Sequence, residues 1–199
     1  MIHPATELLP ADRAIGYGVM ATAPIPRGTV TWVRDPLDQR FAASTVAQMP
    51  ELIRAALERY CYRELDGSLV LCWDHARFNN HSCQPSCRTV GDFDIAVRDI
   101  AAGEELTIEY ATINVLETFA CRCGAPECRG SVRPGDAREY GERWDSEILE
   151  AARLTPTVAQ PLASLFDLSP TLCTMYADAR RGRSITLPRS RELVIGGGA

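Results

Sequence analysis

The chain contains no lysine, no apolar run of membrane-spanning length and no basic, apolar signal pattern at its N-terminus. A helix needs about 20 apolar residues to cross a bilayer, and secretion needs a recognisable leader. We therefore expect a cytoplasmic protein without a membrane partner. Codon bias in a GC-rich bacterial genome is one explanation for the missing lysines.

The 199 residues otherwise have an ordinary globular composition, with 46% apolar and 24% charged residues. This length is enough for one domain with its own core and an extension. The net charge of −5 disfavours nonspecific nucleic-acid binding and favours a cationic substrate. Eight cysteines without a signal peptide indicate metal ligands and buried thiols rather than a disulfide framework.

Short strands separated by glycine and proline dominate the first two thirds of the chain. We predict strands within 13–35, a hairpin over 60–71, and a strand pair at 93–98 and 105–110. Tyr110 is expected to end an edge strand. These elements indicate a mainly β protein with a few helices, of the α+β class, up to about residue 132.

A helical insert is predicted at about 44–60. Ser44 is expected to cap a short helix, and Pro50 suits the first position of a longer one that runs to about Tyr60. One face of this longer helix is apolar; it consists of Leu52, Ile53, Ala56 and Leu57.

Residues 133–199 have the pattern of a helical C-terminal extension. Helical spacing is clear over 136–152, a second helix is expected within 157–166, and a third within 169–182. The glycine-rich end, 196–199, is expected to be disordered.

Four cysteines have the spacing of a structural zinc site. Cys121, Cys123 and Cys128 lie within eight residues, and Cys83 is more than thirty positions upstream. Tetrahedral zinc takes four soft ligands, so these residues would tie two parts of the fold together. The alternative is a set of free buried thiols, and Cys87 is a competing candidate for the upstream ligand.

Two further blocks accompany the cysteines: Arg-Phe-Asn-Asn-His-Ser-Cys at 77–83 and Gly-Glu-Glu-Leu-Thr-Ile-Glu-Tyr at 103–110. With Gly-Tyr-Gly at 16–18 and Cys-x-Cys-x4-Cys at 121–128, this order resembles the SET-domain protein lysine methyltransferases with their post-SET segment. The resemblance covers roughly residues 12–132.

This resemblance implies a β-clip of small sheets with a pseudoknot, in which one segment passes through a loop of the chain. It implies a SET domain over 1–118, a post-SET zinc segment over 119–132 and the helical extension over 133–199. Among the cysteines, it assigns Cys83 rather than Cys87 to the zinc ion. An enzyme that acts on lysine and avoids modifying itself then becomes a second explanation for the lysine-free composition.

The resemblance also implies that S-adenosylmethionine is the cofactor. Asn80 and His81 would lie against it, although His81 alone would be a core histidine and Tyr60 alone a packed aromatic. The remaining cofactor-binding residues implied by the motifs are Ile15, Gly16, Tyr17, Tyr60, Arg77 and Phe78.

Tyr110 matches the tyrosine that these enzymes place at the point of methyl transfer, and Tyr62 is expected to wall the same channel. A lysine ammonium has a pKa near ~10.4, so a neutral amine lies roughly 4 kcal/mol uphill at pH 7.4. A narrow apolar channel removes water from the ammonium and supplies part of that difference.

Two residues depart from the family pattern. Ser86 replaces the usual asparagine, which weakens an expected local hydrogen-bonding role. Ile108 replaces a usual phenylalanine or tyrosine, which predicts room for more than one methyl group. The leading interpretation is a methyltransferase acting on a lysine of a protein or peptide; the alternatives are a small-molecule amine as acceptor, or an inactive SET module that binds a partner.

Overall fold

The computed structural model describes residues 1–11 and 16–195, within which no helix is both long and apolar enough to cross a membrane. The strands are β1 (Thr6–Pro10), β2 (Tyr17–Ala21), β3 (Val30–Val33), β4 (Gln39–Phe41), β5 (Tyr62–Arg63), β6 (Leu69–Leu71), β7 (Asn80–His81), β8 (Cys87–Val90), β9 (Phe93–Ala96), β10 (Glu105–Ile108), β11 (Phe119–Ala120) and β12 (Ser131–Val132). The helices are α1 (Ala43–Val46), α2 (Glu51–Tyr60), α3 (Asp136–Leu154) and α4 (Pro170–Arg180).

The described strands form small sheets, in the orders β1-β2-β10-β7, β3-β9-β8, β4-β6-β5 and β11-β12. Strand β7 pairs with β10 in parallel, so Asn80 lies opposite Thr107 and His81 opposite Ile108. This pairing brings two of the sequence motifs side by side. The prediction of a mainly β fold of small sheets with few helices is confirmed.

Strand β9 separates two environments because successive side chains point to opposite faces. Phe93 and Ile95 pack with residues of α3 and α4 in one apolar core, which also contains Val30, Val33, Ile148, Ala151, Leu172 and Met175. Asp94 and Ala96 therefore belong to the other face, away from the helices. The C-terminal helices thus cover one face of this sheet and leave its opposite face to the interior of the β region.

Several helix predictions need correction. Ala42, not Ser44, is the N-cap of α1, and Pro50 is the N-cap of α2 rather than its first residue. On the apolar face of α2, Leu57 is buried but Leu52 is 86% exposed. Propensity and periodicity predicted the helix correctly, but its short contact with β6 covers only part of its apolar face.

The helix expected within 157–166 is absent from the described residues there, which contain 3-10 turns at Thr155–Thr157 and Ala163–Leu168. Pro161 lacks an N–H and clashes with the preceding turn of a helix, which explains the break. The third helix is confirmed as α4: Ser169 caps it through Leu172 N, and Gly182 follows its end with φ +62°.

One further expectation about the strands was wrong. Strand β10 is paired on both sides, with β2 and β7, and Tyr110 opens a 3-10 turn beyond it rather than ending an edge strand. Ser86 retains local hydrogen bonds, because its Oγ accepts from Thr107 N at 2.9 Å and its N donates to Thr107 Oγ1 at 3.1 Å.

Candidate active site and metal centre

A cluster of aromatic side chains surrounds a cleft of about 320 Å³, lined by Tyr60, Leu71, Arg77 and Phe78. The Phe78 ring lies edge-on to Tyr60 and Tyr17, with ring centres 5.7 and 6.2 Å apart. The Arg77 guanidinium lies over Phe78, 5.1 Å from the ring centre. The structure thus brings together four of the residues that the sequence predicted for cofactor binding.

Asn80 joins the first residue of β2 to β10. Its Nδ2 donates to Tyr17 O at 2.9 Å and to Glu105 Oε1 at 2.7 Å. Gly16 precedes this contact with φ +97°, a conformation that favours glycine. Ile15 lies outside the described residues. Asn80 is thus bonded to the residue whose ring contacts Phe78 in the aromatic cluster.

His81 joins the predicted cofactor residues to the predicted metal ligands. Its Nδ1 accepts a hydrogen bond from Tyr110 N at 3.3 Å, and its Nε2 lies 3.4 Å from Cys83 Sγ. Burial lowers the pKa of His81, although the charge of Glu109 opposes this. A neutral ring that accepts at Nδ1 carries its proton on Nε2, so it donates to the Cys83 sulfur.

Three of the four predicted metal ligands converge. The ligand atoms of Cys83, Cys121, Cys123 and His81 lie within 4.8 Å of one another. Cys83 Sγ and Cys121 Sγ are 3.7 Å apart; tetrahedral zinc with Zn–S bonds of about 2.3 Å places sulfurs about 3.8 Å apart. The cluster therefore has dimensions that suit a zinc ion.

Cys128 and His81 are both candidates for the fourth ligand position. Cys128 lies beside the cluster, with its Sγ 3.8 Å from Cys121 O and 3.5 Å from the donor Gly130 N. A histidine that binds metal through Nε2 must carry its proton on Nδ1. In His81 that Nδ1 accepts from Tyr110 N, so the hydrogen bonding favours Cys128.

Backbone N–H groups around the cluster favour a thiolate at Cys123, whereas burial raises the pKa values of the Cys83 and Cys121 thiols. Cys83 N donates to Cys123 Sγ and Arg129 N donates to Cys83 Sγ, each at 3.4 Å. Burial opposes ionisation of Cys123, but backbone N–H groups of Cys83 and Ala125, with the neighbouring thiols, lower its pKa to about 7. Since thiolate is the form that binds metal, this donor set fits zinc.

A larger cavity of about 1000 Å³ adjoins the aromatic cleft, because Tyr60 and Arg77 line both. Its walls include Tyr62, Tyr110 and Ile108. The two tyrosines that the sequence predicted for a substrate channel thus face one cavity. Tyr60 and Arg77 of the predicted cofactor set border both spaces, whereas Asn80 and His81 line neither.

Tyr110 is held as a protonated phenol. Its hydroxyl donates to Asn79 O at 2.8 Å, and its ring centre is 5.5 Å from that of His81. Burial, reinforced by the charge of Glu105, raises the pKa of Tyr110 to about 12. Because its proton is donated to Asn79 O, the Tyr110 oxygen can accept a hydrogen bond from another donor.

Tyr62 forms a second wall of the same cavity. Its ring lies edge-on to Trp32, with centres 5.8 Å apart. Burial is the main cause that raises the pKa of Tyr62. Neither tyrosine is therefore a general base at neutral pH.

Sequence reasoning missed a buried charge cluster behind Tyr110. The fully buried Glu109 accepts from both Nη atoms of Arg129 at 2.9 Å, and Arg88 Nη1 is 3.9 Å from Glu109 Oε2. Arg129 also pairs with the buried Asp136 at 3.2 Å. The only signals in the sequence were Glu109 directly before Tyr110 and Arg129 directly after Cys128.

The aromatic face of α3 completes this cluster. Arg129 lies over the Tyr140 ring at 5.1 Å, and Arg88 over the Trp144 ring at 4.9 Å. The stripe that the sequence predicted on this helix therefore packs on guanidinium groups as well as on apolar residues. It connects the C-terminal extension to the residues around Tyr110.

Asp94 was also missed. It is 4% exposed, lines the large cavity, and lies opposite Trp32 and Thr89 in the sheet. Its Oδ1 has no hydrogen-bond partner among the described residues. Burial, opposed by the Thr89 hydroxyl and the N-terminal ammonium, raises the pKa of Asp94 to about 6.

We expect Asp94→Asn to stabilise the protein at neutral pH. A carboxyl whose pKa is raised on folding contributes most to stability below its pKa in the unfolded chain. That contribution is lost as the pH rises through its pKa in the folded protein. The shift from 3.8 to about 6 corresponds to at most about 3 kcal/mol. Urea unfolding from pH 4 to 8 should give a variant-minus-wild-type difference that grows up to about pH 7 and then stays level. A difference independent of pH would contradict the assignment.

The family model described as "SET domain" matches residues 16–111. Among curated proteins, "Histone-lysine N-methyltransferase ATX2" of Arabidopsis thaliana is 34% identical over 142 residues, covering 62% of this chain and 13% of that protein. "Histone-lysine N-methyltransferase ash1" of Drosophila melanogaster is 32% identical over 147 residues, covering 66% and 6%. The chain thus spans a small part of the length of these relatives.

Among solved structures, the methyltransferase domain of human "Histone-lysine N-methyltransferase SETMAR" aligns with a TM-score of 0.47 and 17% identity, over 66% of this chain and 58% of that one. The sequence match and the motifs carry the assignment. Residues 16–111, which contain the Asn80-His81 strand, Cys83 and the partly buried Tyr110, are a SET domain.

Proposed function

We propose that this chain is an S-adenosylmethionine-dependent protein lysine N-methyltransferase with a structural zinc ion. The observation that carries the proposal is the junction of two spaces at Tyr60 and Arg77: an aromatic cleft and a larger cavity walled by Tyr62 and Tyr110. The cleft suits the methyl donor, and the larger cavity suits the acceptor lysine. Its relatives are named histone-lysine N-methyltransferases, which supports the same reaction class.

The aromatic cleft would hold the donor. Tyr17, Tyr60 and Phe78 offer ring faces and edges to a nucleoside and to a cationic group. When bound, S-adenosylmethionine supplies a methyl carbon that an amine lone pair can attack, with the sulfonium leaving as a thioether.

The larger cavity would hold the acceptor lysine. Its apolar and aromatic lining residues, among them Tyr62, Ile108 and Tyr110, would reduce the hydration of the ammonium and so lower the pKa of the amine. Tyr110 does not take the proton, because it is already a protonated phenol with a pKa of about 12. Its role is to accept a hydrogen bond from the amine and aim the nitrogen lone pair, which makes orientation its contribution.

Zinc would be held by Cys83, Cys121, Cys123 and Cys128. The ion would join the loop after β7 to the segment over 119–132, which carries Phe119 against Tyr110 at 6.3 Å. Its function is structural, since four protein ligands leave no open coordination position.

The test is methyl transfer to an array of lysine peptides, each paired with a peptide in which norleucine replaces lysine. The 199 residues contain no lysine, so methyl-lysine in the reaction comes from the substrate alone. We expect label only in lysine peptides, with more than one methyl because of Ile108. Monomethyl product alone would contradict that second expectation. Transfer only to free amines, or no binding of S-adenosylmethionine by calorimetry, would contradict the proposed function.

We expect Tyr110→Phe to lower kcat by about 100-fold, the effect of losing the orientation of one reacting group. The KM for peptide should change less than about threefold and the Tm little, because one hydrogen bond contributes only about 1 kcal/mol. Tyr140→Phe, on α3, is the matched control and should retain kcat. Single-turnover kinetics measure the effect; an unchanged rate in Tyr110→Phe would remove this residue from the mechanism.

A further inference from the structure

The large cavity has more room than an acceptor lysine needs. Its volume of about 1000 Å³ reaches the upper end of the range, about 300–1,000 Å³, that holds a whole drug-sized ligand. Besides the channel residues, it is lined by Trp32, Thr89, Asp92 and Asp94. These four lie on or beside the sheet β3-β9-β8, on the face away from the C-terminal helices.

Unpartnered polar atoms are concentrated around this cavity. Among the described residues, Asp94 Oδ1, Asn79 Oδ1 and Trp32 Nε1 are buried without a hydrogen-bond partner, and all three residues line it. Buried polar groups in folded proteins are nearly always paired. Two of these atoms accept hydrogen bonds, so the missing group offers donors.

The arginines that line the cavity bind other groups: Arg34 pairs with Glu64, and Arg63 pairs with Glu58 at 2.6 Å. Arg77 donates to backbone carbonyl oxygens, and Arg59 lies over the Tyr60 ring. Asp94 forms no ion pair within the described residues and is 4% exposed. A buried carboxylate is expensive unless it is paired, which indicates that its partner comes from outside the chain.

We propose that Asp94 forms a subsite for the arginine side chain of a basic residue close to the acceptor lysine in the substrate. This rests on the proposed function. A guanidinium presents five donors in one plane, which matches the two oxygens of a carboxylate, and it stacks on aromatic rings such as that of Trp32, which lies opposite Asp94 in the sheet. Trp32 contacts Tyr62 of the channel. The arginine and the acceptor lysine of the substrate are therefore separated by few residues.

The experiment compares peptides that carry one acceptor lysine and either arginine or uncharged citrulline at each nearby position. We expect wild-type protein to prefer arginine at one position by roughly 10- to 100-fold in kcat/KM, the factor that a hydrogen bond to a charged group supplies. Asp94→Asn should reduce this ratio to near one and leave the citrulline peptides unchanged. Asp66→Asn is the matched control, because Asp66 lines the same cavity but is exposed and pairs with Arg40.

Calorimetry with the same peptides separates this subsite from the proposed reaction. If no peptide is methylated, but arginine peptides bind more tightly than citrulline peptides and Asp94→Asn abolishes the difference, the subsite stands and the reaction does not. If lysine is methylated equally in arginine and citrulline peptides, or if Asp94→Asn keeps the preference, the subsite is wrong.

Discussion

Cys123→Ser should yield protein without stoichiometric zinc, with a Tm lower by about 10 °C or more and with no measurable binding of S-adenosylmethionine. Structural zinc contributes about 10–16 kcal/mol of apparent binding free energy in small zinc domains. Losing even 3–4 kcal/mol lowers the Tm of a domain of this size by about 10 °C. Zinc content by atomic emission, thermal unfolding and calorimetry measure the three effects. Chelation of wild-type protein should reproduce them.

Two variants identify the fourth ligand. Cys128→Ser should lose zinc as Cys123→Ser does, whereas His81→Gln should keep it, because the His81 Nδ1 accepts from Tyr110 N and its Nε2 donates to sulfur. Cys173→Ser is the control, since Cys173 is exposed and lies far from the cluster in sequence. Zinc-free wild-type protein, or equal damage from Cys173→Ser, would overturn the metal assignment.

The sequence predicted the parts of the site that depend on local motifs. The blocks at 77–83 and 103–110 form adjacent strands, β7 and β10, so their side chains converge as the resemblance implied. The aromatic residues of the cofactor set also converge, although the site roles themselves stay predictions. Motif order was sufficient here because it encodes the pairing of distant segments.

Side-chain pairing between distant segments was not predictable. Glu109 and Arg129 are twenty positions apart in charged, polar stretches, and nothing in composition indicates that both are buried. Asp94 interrupts an apolar strand, which was a visible signal, but its position over a cavity depends on the register of three strands. The exposure of Leu52 on α2 likewise depends on what packs nearby, which helical periodicity does not specify.

The buried charges have a common consequence. Arg129 donates its backbone N–H to Cys83 Sγ and its guanidinium to Glu109, so one residue connects the metal cluster to the turn that begins at Tyr110. Asp136, at the start of α3, holds the same guanidinium. The C-terminal extension therefore supports the position of the catalytic candidate through ion pairs as well as through apolar packing.

Glu109→Gln should lower the free energy of unfolding by about 3–5 kcal/mol, because breaking a buried ion pair leaves the remaining charge poorly compensated. The side chains concerned are 0% exposed in Glu109 and 11% in Arg129. Arg129 stays charged in the variant, because a guanidinium is not deprotonated in proteins, and only the pairing with Asp136 at 3.2 Å remains. Urea unfolding with a measured m-value gives the change in stability.

The matched control is Glu139→Gln, which removes the same charge from a carboxylate that pairs with Arg133 at 2.8 Å, where the two side chains are 56% and 47% exposed. A partly exposed ion pair contributes about 0–1 kcal/mol, so this variant should stay close to wild type. Glu109→Gln should also change kcat more than KM, because the turn that carries Tyr110 loses its ion pair with Arg129. A general loss of stability alone would leave kcat per folded molecule unchanged. Equal stability of the two variants, or an unaltered kcat per folded molecule in Glu109→Gln, would contradict the positioning role, because the buried pair would then act only as part of the core.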